Sequence, residues 1–484
     1  MDKLKQNRRG SGGCPMSKTK GAEIDITNGV IWKQLLLFFF PILFGTFFQQ
    51  LYNTVDAVVV GQFVGKEALA AVGGSTSVLI NTFIGFFVGL SSGATVVISQ
   101  FYGGGRHDKV SRAVHTAASL CLIMGAFFMI VGLIVAPYAL LAMGTPEDIM
   151  GDSVTYLRIY FGGIIFPLIY NMGSGILRAV GDSKHPLYFL IICCITNLVL
   201  DVLFVAGFHW GVAGAAIATL ISQAVSAVLI LLSLGRTDQS YHFDPKQICL
   251  DIPILKDIIR VGLPAGFQSV LYSASNIIIQ SSINTFGTNI VAAWTAYGKI
   301  DAMFWMIMSA FGTSITTFVG QNFGAQKYHR IRQSVRICFS IAMGATVLLS
   351  IILYFAGPYI YRLFTSDNTV ITEGMKILRT LVPFYFTYVS IEIFAGAVRG
   401  TGDSILPMII TCFGVCALRA VWIMVAVPIS HTIETVVLSY PITWGTTSLM
   451  FIVYYLQGGW LKRRIAKAGF APEIRHSKTE STHV

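Results

Sequence analysis

Twelve windows of about 20 or more mostly apolar residues recur along this chain, near 34–60, 68–100, 113–137, 154–177, 186–207, 211–234, 254–284, 290–320, 333–358, 375–397, 405–429 and 433–457. Hydrocarbon offers no hydrogen-bond partners, so a spanning segment of this kind has to satisfy its backbone internally, as a helix. Composition agrees: 54% of residues are hydrophobic and 12% charged, where a soluble domain carries about 25% charged residues. Mean hydropathy is +0.68. The predicted fold is an all-α membrane protein of twelve transmembrane helices. The first, second, seventh and eighth windows exceed a minimal span and predict tilt or kinking.

A net charge of +11 suggests nucleic-acid binding until its placement is considered. Lys and Arg cluster in the N-terminal segment (Lys3, Lys5, Arg8, Arg9, Lys18, Lys20, Lys33) and the C-terminal one (Lys462, Arg463, Arg464, Lys467, Arg475, Lys478). The rest fall mainly in alternate connections, at Arg106–Arg112, Arg178–Lys184, Arg236–Arg260, Lys327–Arg336 and Arg399. The intervening loops carry Glu67, Glu147, Asp148, Asp367 and Glu434 instead. By the positive-inside rule both termini and the loops after even-numbered helices are cytoplasmic. The excess charge therefore encodes topology and implies no nucleic-acid partner. Residues 1–33 read as a basic cytoplasmic tail without a cleavable signal, so the first window acts as an uncleaved insertion signal. The expected location is the plasma (inner) membrane, multi-pass.

The chain is written twice. "LRAVGDSKHP" (177–186) returns as "VRGTGDSILP" (398–407), and "ISQFYGG" (98–104) as "VGQNFGA" (319–325). Arg399 against Arg178 and Gln321 against Gln100 give the same offset of 221 residues. "FFFPILFGTFFQQLYN" (38–53) pairs with "RVGLPAGFQSVLYSAS" (260–275), setting Pro41 opposite Pro264. Six helices per copy is an even number, so the two copies enter from the same side. They are predicted to form parallel six-helix lobes related by a pseudo-two-fold along the membrane normal, an architecture of alternating-access carriers. The lobes are assigned to 34–234 and 254–457, with a polar cytoplasmic linker at 235–253 and a basic tail at 458–484.

Five stretches carry a family likeness: "PILFGTFFQQLYNTVDAVVVGQF", "VISQFYGGG", "GILRAVGDSKHP", "TNLVLDVLFVAGFHWGVAGAAIATLISQ" and "GQNFGAQ". In order, spacing and duplication the chain resembles the multidrug and toxic compound extrusion family, particularly its bacterial DinF-type branch, from about residue 25 to 460. The resemblance implies twelve helices in two lobes. It also implies secondary-active export of organic compounds, cationic or amphiphilic, against inward Na⁺ or H⁺.

Polar residues inside the spans mark a site. At about 1.5 Å per residue and a core of about 30 Å, Asp201 lies about 22 Å above the cytoplasmic face. Thr219 and Asp56 fall about 12–13 Å below the outer face on the same arithmetic, and Asn197 shares the face of Asp201. Oxygen ligands of this kind suit a hard cation, and a proton suits a buried carboxylate beside a second one. The resemblance maps the family's N-lobe cation site onto Asp56, Asn197, Asp201 and Thr219, which would hold Na⁺ if coupling is to sodium, and its helix-1 hinge onto Pro41. The second lobe does not copy the set: Ile279, Leu418 and Trp422 stand opposite Asp56, Asn197 and Asp201. It has charges of its own, Lys299, Asp301, Glu392 and Arg419, which read equally as a substrate site or a structural ion-pair network.

"GQFVGKEA" (61–68) imitates a phosphate loop but is one residue short and has Glu67 where Ser or Thr belongs. No nucleophile–base pair or His metal pair is evident, so neither enzyme activity nor a cofactor is expected. The expected partners are small organic molecules and the lipid bilayer, with the chain working as a monomer. The alternatives are a lipid-linked precursor flippase of the same broad superfamily and, in another class, a cation channel. A flippase would be expected to have a basic central cavity.

Overall fold

The computed structural model describes residues 24–365 and 367–467, and those residues contain helices and no strand. The first lobe comprises α1 (Ile31–Phe63), α2 (Lys66–Gly103), α3 (His107–Ala142), α4 (Glu147–Gly162 continued by Ile165–Ala179), α5 (Lys184–Gly207) and α6 (Gly211–Gly235). The second comprises α7 (Ile252–Asn284), α8 (Thr288–Gly324), α9 (Tyr328–Arg362), α10 (Asn368–Gly400), α11 (Ile405–Ile429) and α12 (Ile433–Leu456). Ten of these are individually long and apolar enough to cross a membrane, and the two arms of α4 qualify together. The remaining helix, α7, is 33 residues long but carries Gln268, Ser269, Tyr272, Asn276 and Gln280, so its apolar signal is diluted.

The duplication extends to the breaks. The arms of α4 meet at 49° just after Gly162, and α10 tightens into a 3₁₀ turn at Val382–Phe384. The 221-residue offset puts Gly162 opposite Pro383, and both residue types weaken the helical hydrogen-bond ladder. The π-helical turns do not correspond. One follows Asp201, at Val202–Gly207 in α5, and the other precedes Arg419, at Cys412–Ala417 in α11.

The lobes are clasped at the end that carries the described termini. Gln100 of α2 donates to the Gly400 carbonyl at 2.8 Å, and Gln321 of α8 donates to the Ala179 carbonyl at 2.8 Å. Donors and acceptors are both related by the repeat offset, so the two bonds are images of each other about the pseudo-two-fold. Beside them Gly103 lies against the Gln321 backbone and Gly324 against the Gln100 backbone, so close that a Cβ at either position would overlap the opposing chain. Midway along the helices Gly89 and Gly93 of α2 face Gly262 and Gly266 of α7 in the same manner. Side-chain hydrogen bonds between lobes among the described residues cluster at the terminus-bearing end.

The described parts of the two terminal segments, from Ile24 and up to Lys467, take part in the clasp. Ile24 donates its N–H to Gly181 of the first lobe at 3.3 Å, while Lys327 and Arg330 of α9 bond the Thr27 and Ile26 carbonyls at 2.9 and 3.2 Å. Ile26 is buried at this crossing. A further helix, α13 (Gly459–Lys467), brings Arg464 within 2.9 Å of the Thr401 carbonyl. Gly181 and Gly402, equivalent in the two repeats, have φ of +100° and +88°, a backbone region that favours glycine. Ile24 covers one turn and Arg464 the other. The other basic tail residues, Lys3–Lys20 and Arg475–Lys478, lie outside the described residues.

One helix belongs to both lobes. The first turns of α1 place Ile31, Leu35, Phe38, Phe39 and Ile42 in the second lobe's hydrophobic core, with Phe39 stacked on Phe311 of α8 at 4.0 Å between ring centroids. Its last turns place Val59 and Val60 in a separate core with α4, α5 and α6. Pro41 lies inside the continuous helix near the change of allegiance. Replacing Gly103 and Gly324 with Val is predicted to push the lobes apart, each at a cost of about 1–3 kcal/mol. The expected readout is a lower unfolding temperature in detergent, with the double variant less than additive because both changes relieve one contact.

Candidate functional site

The last turns of α1 and α5 and the first turns of α6 pack together in the half of the first lobe farther from the clasp. Asp56 on α1, Asn197 and Asp201 on α5 and Thr219 on α6 are all buried there, Asn197 and Asp201 completely. The structure therefore brings the four sequence-nominated residues into one region, with Asp201 feeling the Asp56 charge and lying beside the Asn197 amide. Asp201 ends the α-helical part of α5. The π-helical turn that follows admits an extra residue, shifting the helix face beyond it, a distortion common at functional sites.

The chemistry of the region lies in what its polar atoms lack. Both oxygens of Asp201, Oδ1 of Asp56, both polar atoms of the Asn197 amide and the Thr219 hydroxyl have no hydrogen-bond partner. Buried polar groups are ordinarily paired, and a buried carboxylate without donors carries its full desolvation cost. Five of these six atoms are oxygens, and an alkali cation or a proton among them would offset that cost. No group of three or more His, Cys, Asp and Glu side chains that could hold a metal ion occurs among the described residues.

The wall of this compartment was not apparent in the sequence. Tyr156 of α4 is buried against both carboxylates, and Tyr52, one turn before Asp56, accepts a hydrogen bond from Gln223 of α6 at 3.1 Å. A tyrosine in an apolar window reads as an interfacial anchor. Only the tertiary packing of α4 turns Tyr156 towards the acids.

The second lobe fills the corresponding space differently. Ile279 is buried, and Trp422 donates its indole N–H to the Thr435 carbonyl at 2.8 Å. The four nominated charges of that lobe do not make an ion-pair network among the described residues. Lys299 is exposed on α8. Asp301 is saturated by neutral donors, Tyr385 at 2.6 Å, Trp305 at 2.7 Å and Tyr297 at 3.1 Å. Glu392 accepts from Tyr388 at 3.3 Å. Arg419 stacks on the Tyr440 ring at 4.1 Å.

Between the lobes lies a cavity of about 430 Å³. It is lined by Asn171 and Arg178 from the first lobe and by the repeat-equivalent Glu392 and Arg399 from the second, with Gln268 and Tyr272 of α7. The two arginines had been counted with the topogenic loop charges. They are the penultimate residues of α4 and α10 instead, each with a buried, unpaired Nε. Their recurrence in the duplicated "RxxGD" motif was the available signal. A smaller cavity beside it is lined by Pro41, Gly45, Tyr170 and Arg178, so the proline of α1 borders the lobe interface.

Comparison with known proteins places this geometry. The family model MatE matches twice, over residues 41–203 and 264–425, the two copies beginning at Pro41 and Pro264. "Probable multidrug resistance protein YoeA" of Bacillus subtilis is 28% identical over 448 residues, spanning 90% of this chain and 96% of the relative. "Multidrug export protein MepA" of Staphylococcus haemolyticus is 21% identical, over 77% of this chain and 82% of its own. A solved structure described as "Outward-facing conformation of a multidrug resistance MATE family transporter of the MOP superfamily" superposes with a TM-score of 0.84 at 24% identity, covering 91% of this chain and 99% of that one.

Burying Asp56 and Asp201 together is costly, and removing one charge lowers that cost where no cation is supplied. Asp201→Asn is predicted to melt in detergent no lower than the parent in Na⁺-free buffer, the parent bearing an uncompensated cost of about 1–3 kcal/mol. The parent's melting temperature is expected to rise with Na⁺ or with falling pH, and the variant is expected to lose that dependence.

Proposed function

The chain belongs to the MatE family of multidrug and toxic compound extrusion proteins, and from that premise we propose that it is a secondary-active efflux antiporter. In this reading it exports amphiphilic organic compounds across the plasma membrane against inward Na⁺ or H⁺, as a monomer with both termini in the cytoplasm. The observation that carries the reading is the compartment of Asp56, Asn197, Asp201 and Thr219, whose unpaired oxygens are confined to one lobe. A passive channel has no need of a dry acidic compartment set apart from the cavity between its lobes. The arginines in the central cavity are the one feature that favours a lipid-linked precursor flippase. Glu392 in the same cavity and the acidic compartment of the first lobe weigh against it.

The coupling follows from α1. With the basic, clasped end on the cytoplasmic side by the positive-inside rule, the described state faces outward. A cation entering from outside neutralises the Asp56–Asp201 pair, and that favours tighter closure of α5 and α6 on the outer half of α1. Because the other half of α1 is anchored on α8 through Phe39 and Phe311, the change is felt across the lobe interface. Pro41 removes one backbone donor between the halves and lowers the cost of bending there. A cation drives the cycle only through different affinities in the two states, and the difference here is access of water to the carboxylates.

Proteoliposomes loaded with dye and given an imposed Na⁺ or pH gradient test the reading. Export is expected to follow one of the two gradients and to vanish in an Asp56→Asn, Asp201→Asn double variant that still folds; full export by that variant would sink the proposal. Pro41→Ala, which restores the missing N–H and stiffens α1, is expected to leave dye binding intact while slowing turnover.

A further inference from the structure

The second lobe contains a cavity of about 510 Å³ walled by Trp294, Trp305, Tyr272, Tyr388 and Tyr440, and Arg419 reaches into it from α11. Arg419 is only 2% exposed. Its Nε has no partner, and its Nη2 makes a long hydrogen bond, 3.4 Å, to the Thr443 hydroxyl. Tyr440 supplies a π-face 4.1 Å from the guanidinium, which orients the cation without neutralising it.

The nearest candidate counter-charge is already committed. Asp301 lines the same cavity, but Tyr385, Tyr297 and Trp305 occupy its oxygens, and no ion pair joins it to Arg419. A buried guanidinium without an anion is as costly as the unpaired carboxylates of the other lobe. The next chamber carries an excess of guanidinium. The inter-lobe cavity shares Tyr272 and Trp305 with this one and sets Arg178 and Arg399 against a single carboxylate, Glu392. Buried carboxylate oxygens without a partner thus lie in the first lobe, whereas each of these two cavities has an arginine Nε without one. The π-helical turn Cys412–Ala417 ends immediately before Leu418 and Arg419, so the helix phase at Arg419 differs from that of an uninterrupted α-helix.

We propose that the aromatic cavity of the second lobe is a substrate subsite for compounds carrying an acidic group, with Arg419 holding a carboxylate or sulfonate and the Trp and Tyr walls taking a flat apolar body. Guanidinium matches such anions with two parallel N–H bonds, and a mostly aromatic cavity with one convergent charge is the common form of a small-molecule site. A purely cationic compound would have to sit beside Arg419, and Asp301, the carboxylate lining that cavity, already accepts three hydrogen bonds. The proposal rests on the efflux reading for the premise that these cavities receive substrate, and it narrows the substrate class from amphiphiles in general to acidic or zwitterionic ones.

Fluorescein and rhodamine 123 share a xanthene skeleton and differ in charge, so they separate charge from shape. Titrated against the full-length protein in detergent, fluorescein is expected to bind more tightly than rhodamine 123. Arg419→Gln should weaken fluorescein binding roughly tenfold to a hundredfold, as loss of a charge-assisted pair does, and leave rhodamine 123 binding unchanged. Arg419→Lys should retain an intermediate affinity for fluorescein. Equal fluorescein binding by parent and Arg419→Gln, or parallel loss of both dyes, would overturn the subsite. Tighter binding of rhodamine 123 than of fluorescein by the parent overturns it whatever the variant's folding. The efflux reading fails separately: Arg419-dependent fluorescein binding with no export of either dye would support the subsite and remove the antiporter.

Discussion

The reciprocal contact of α2 and α8 at one end of the molecule is the constraint from which the rest follows. Two glutamines reach across to opposing carbonyls, and two glycines let the backbones come close enough for that reach. Both pairs are copies of one sequence element, so the interface is self-complementary in the way a symmetric dimer's is. Closing the lobes at one end of helices this long leaves space between them farther along, and the central cavity occupies it. The clasp consists of a few hydrogen bonds and close van der Waals approaches. Such a contact opens and reforms at modest cost, which suits the proposed alternating-access cycle.

Symmetry of the scaffold and asymmetry of the chemistry come from the same duplication. The bends in α4 and α10 fall at equivalent positions because the turns that close each bundle need them. The intramembrane charges do not correspond, because a charge in hydrocarbon persists only where its counter-charge is provided. Asp201 and Oδ1 of Asp56 have no hydrogen-bond partner among the described residues. Asp301 accepts hydrogen bonds from Tyr385, Trp305 and Tyr297. The buried carboxylates of the two lobes thus differ in whether donors surround them.

The helices, the two copies and the four residues of the first lobe were legible because each rests on a local signal: an apolar run, a repeated string, an oxygen at a countable depth. Residues whose role depends on which helix packs against which were not. Tyr156 looks like any interfacial aromatic until α4 bends and turns it towards the acids. Arg178 and Arg399 satisfy the positive-inside rule as loop residues do, yet each is the penultimate residue of its helix and lines the central cavity. Lys299 is the converse, a charge in an apolar window that is exposed. The π-helical turns in α5 and α11 leave no mark that hydropathy can register, since they depend on an inserted residue whose effect is a rotation.

The turns at Gly181 and Gly402 show what gene duplication leaves unfinished. Copying a six-helix unit yields two identical corners that need a lid, yet the chain between the copies, at 236–251, bonds the start of α3 instead. Ile24 and Arg464 cap the corners, one with its backbone, the other with its guanidinium. Each is therefore a structural member of the closed face, and the two caps, having arrived at the task by different chemistry, respond to salt differently.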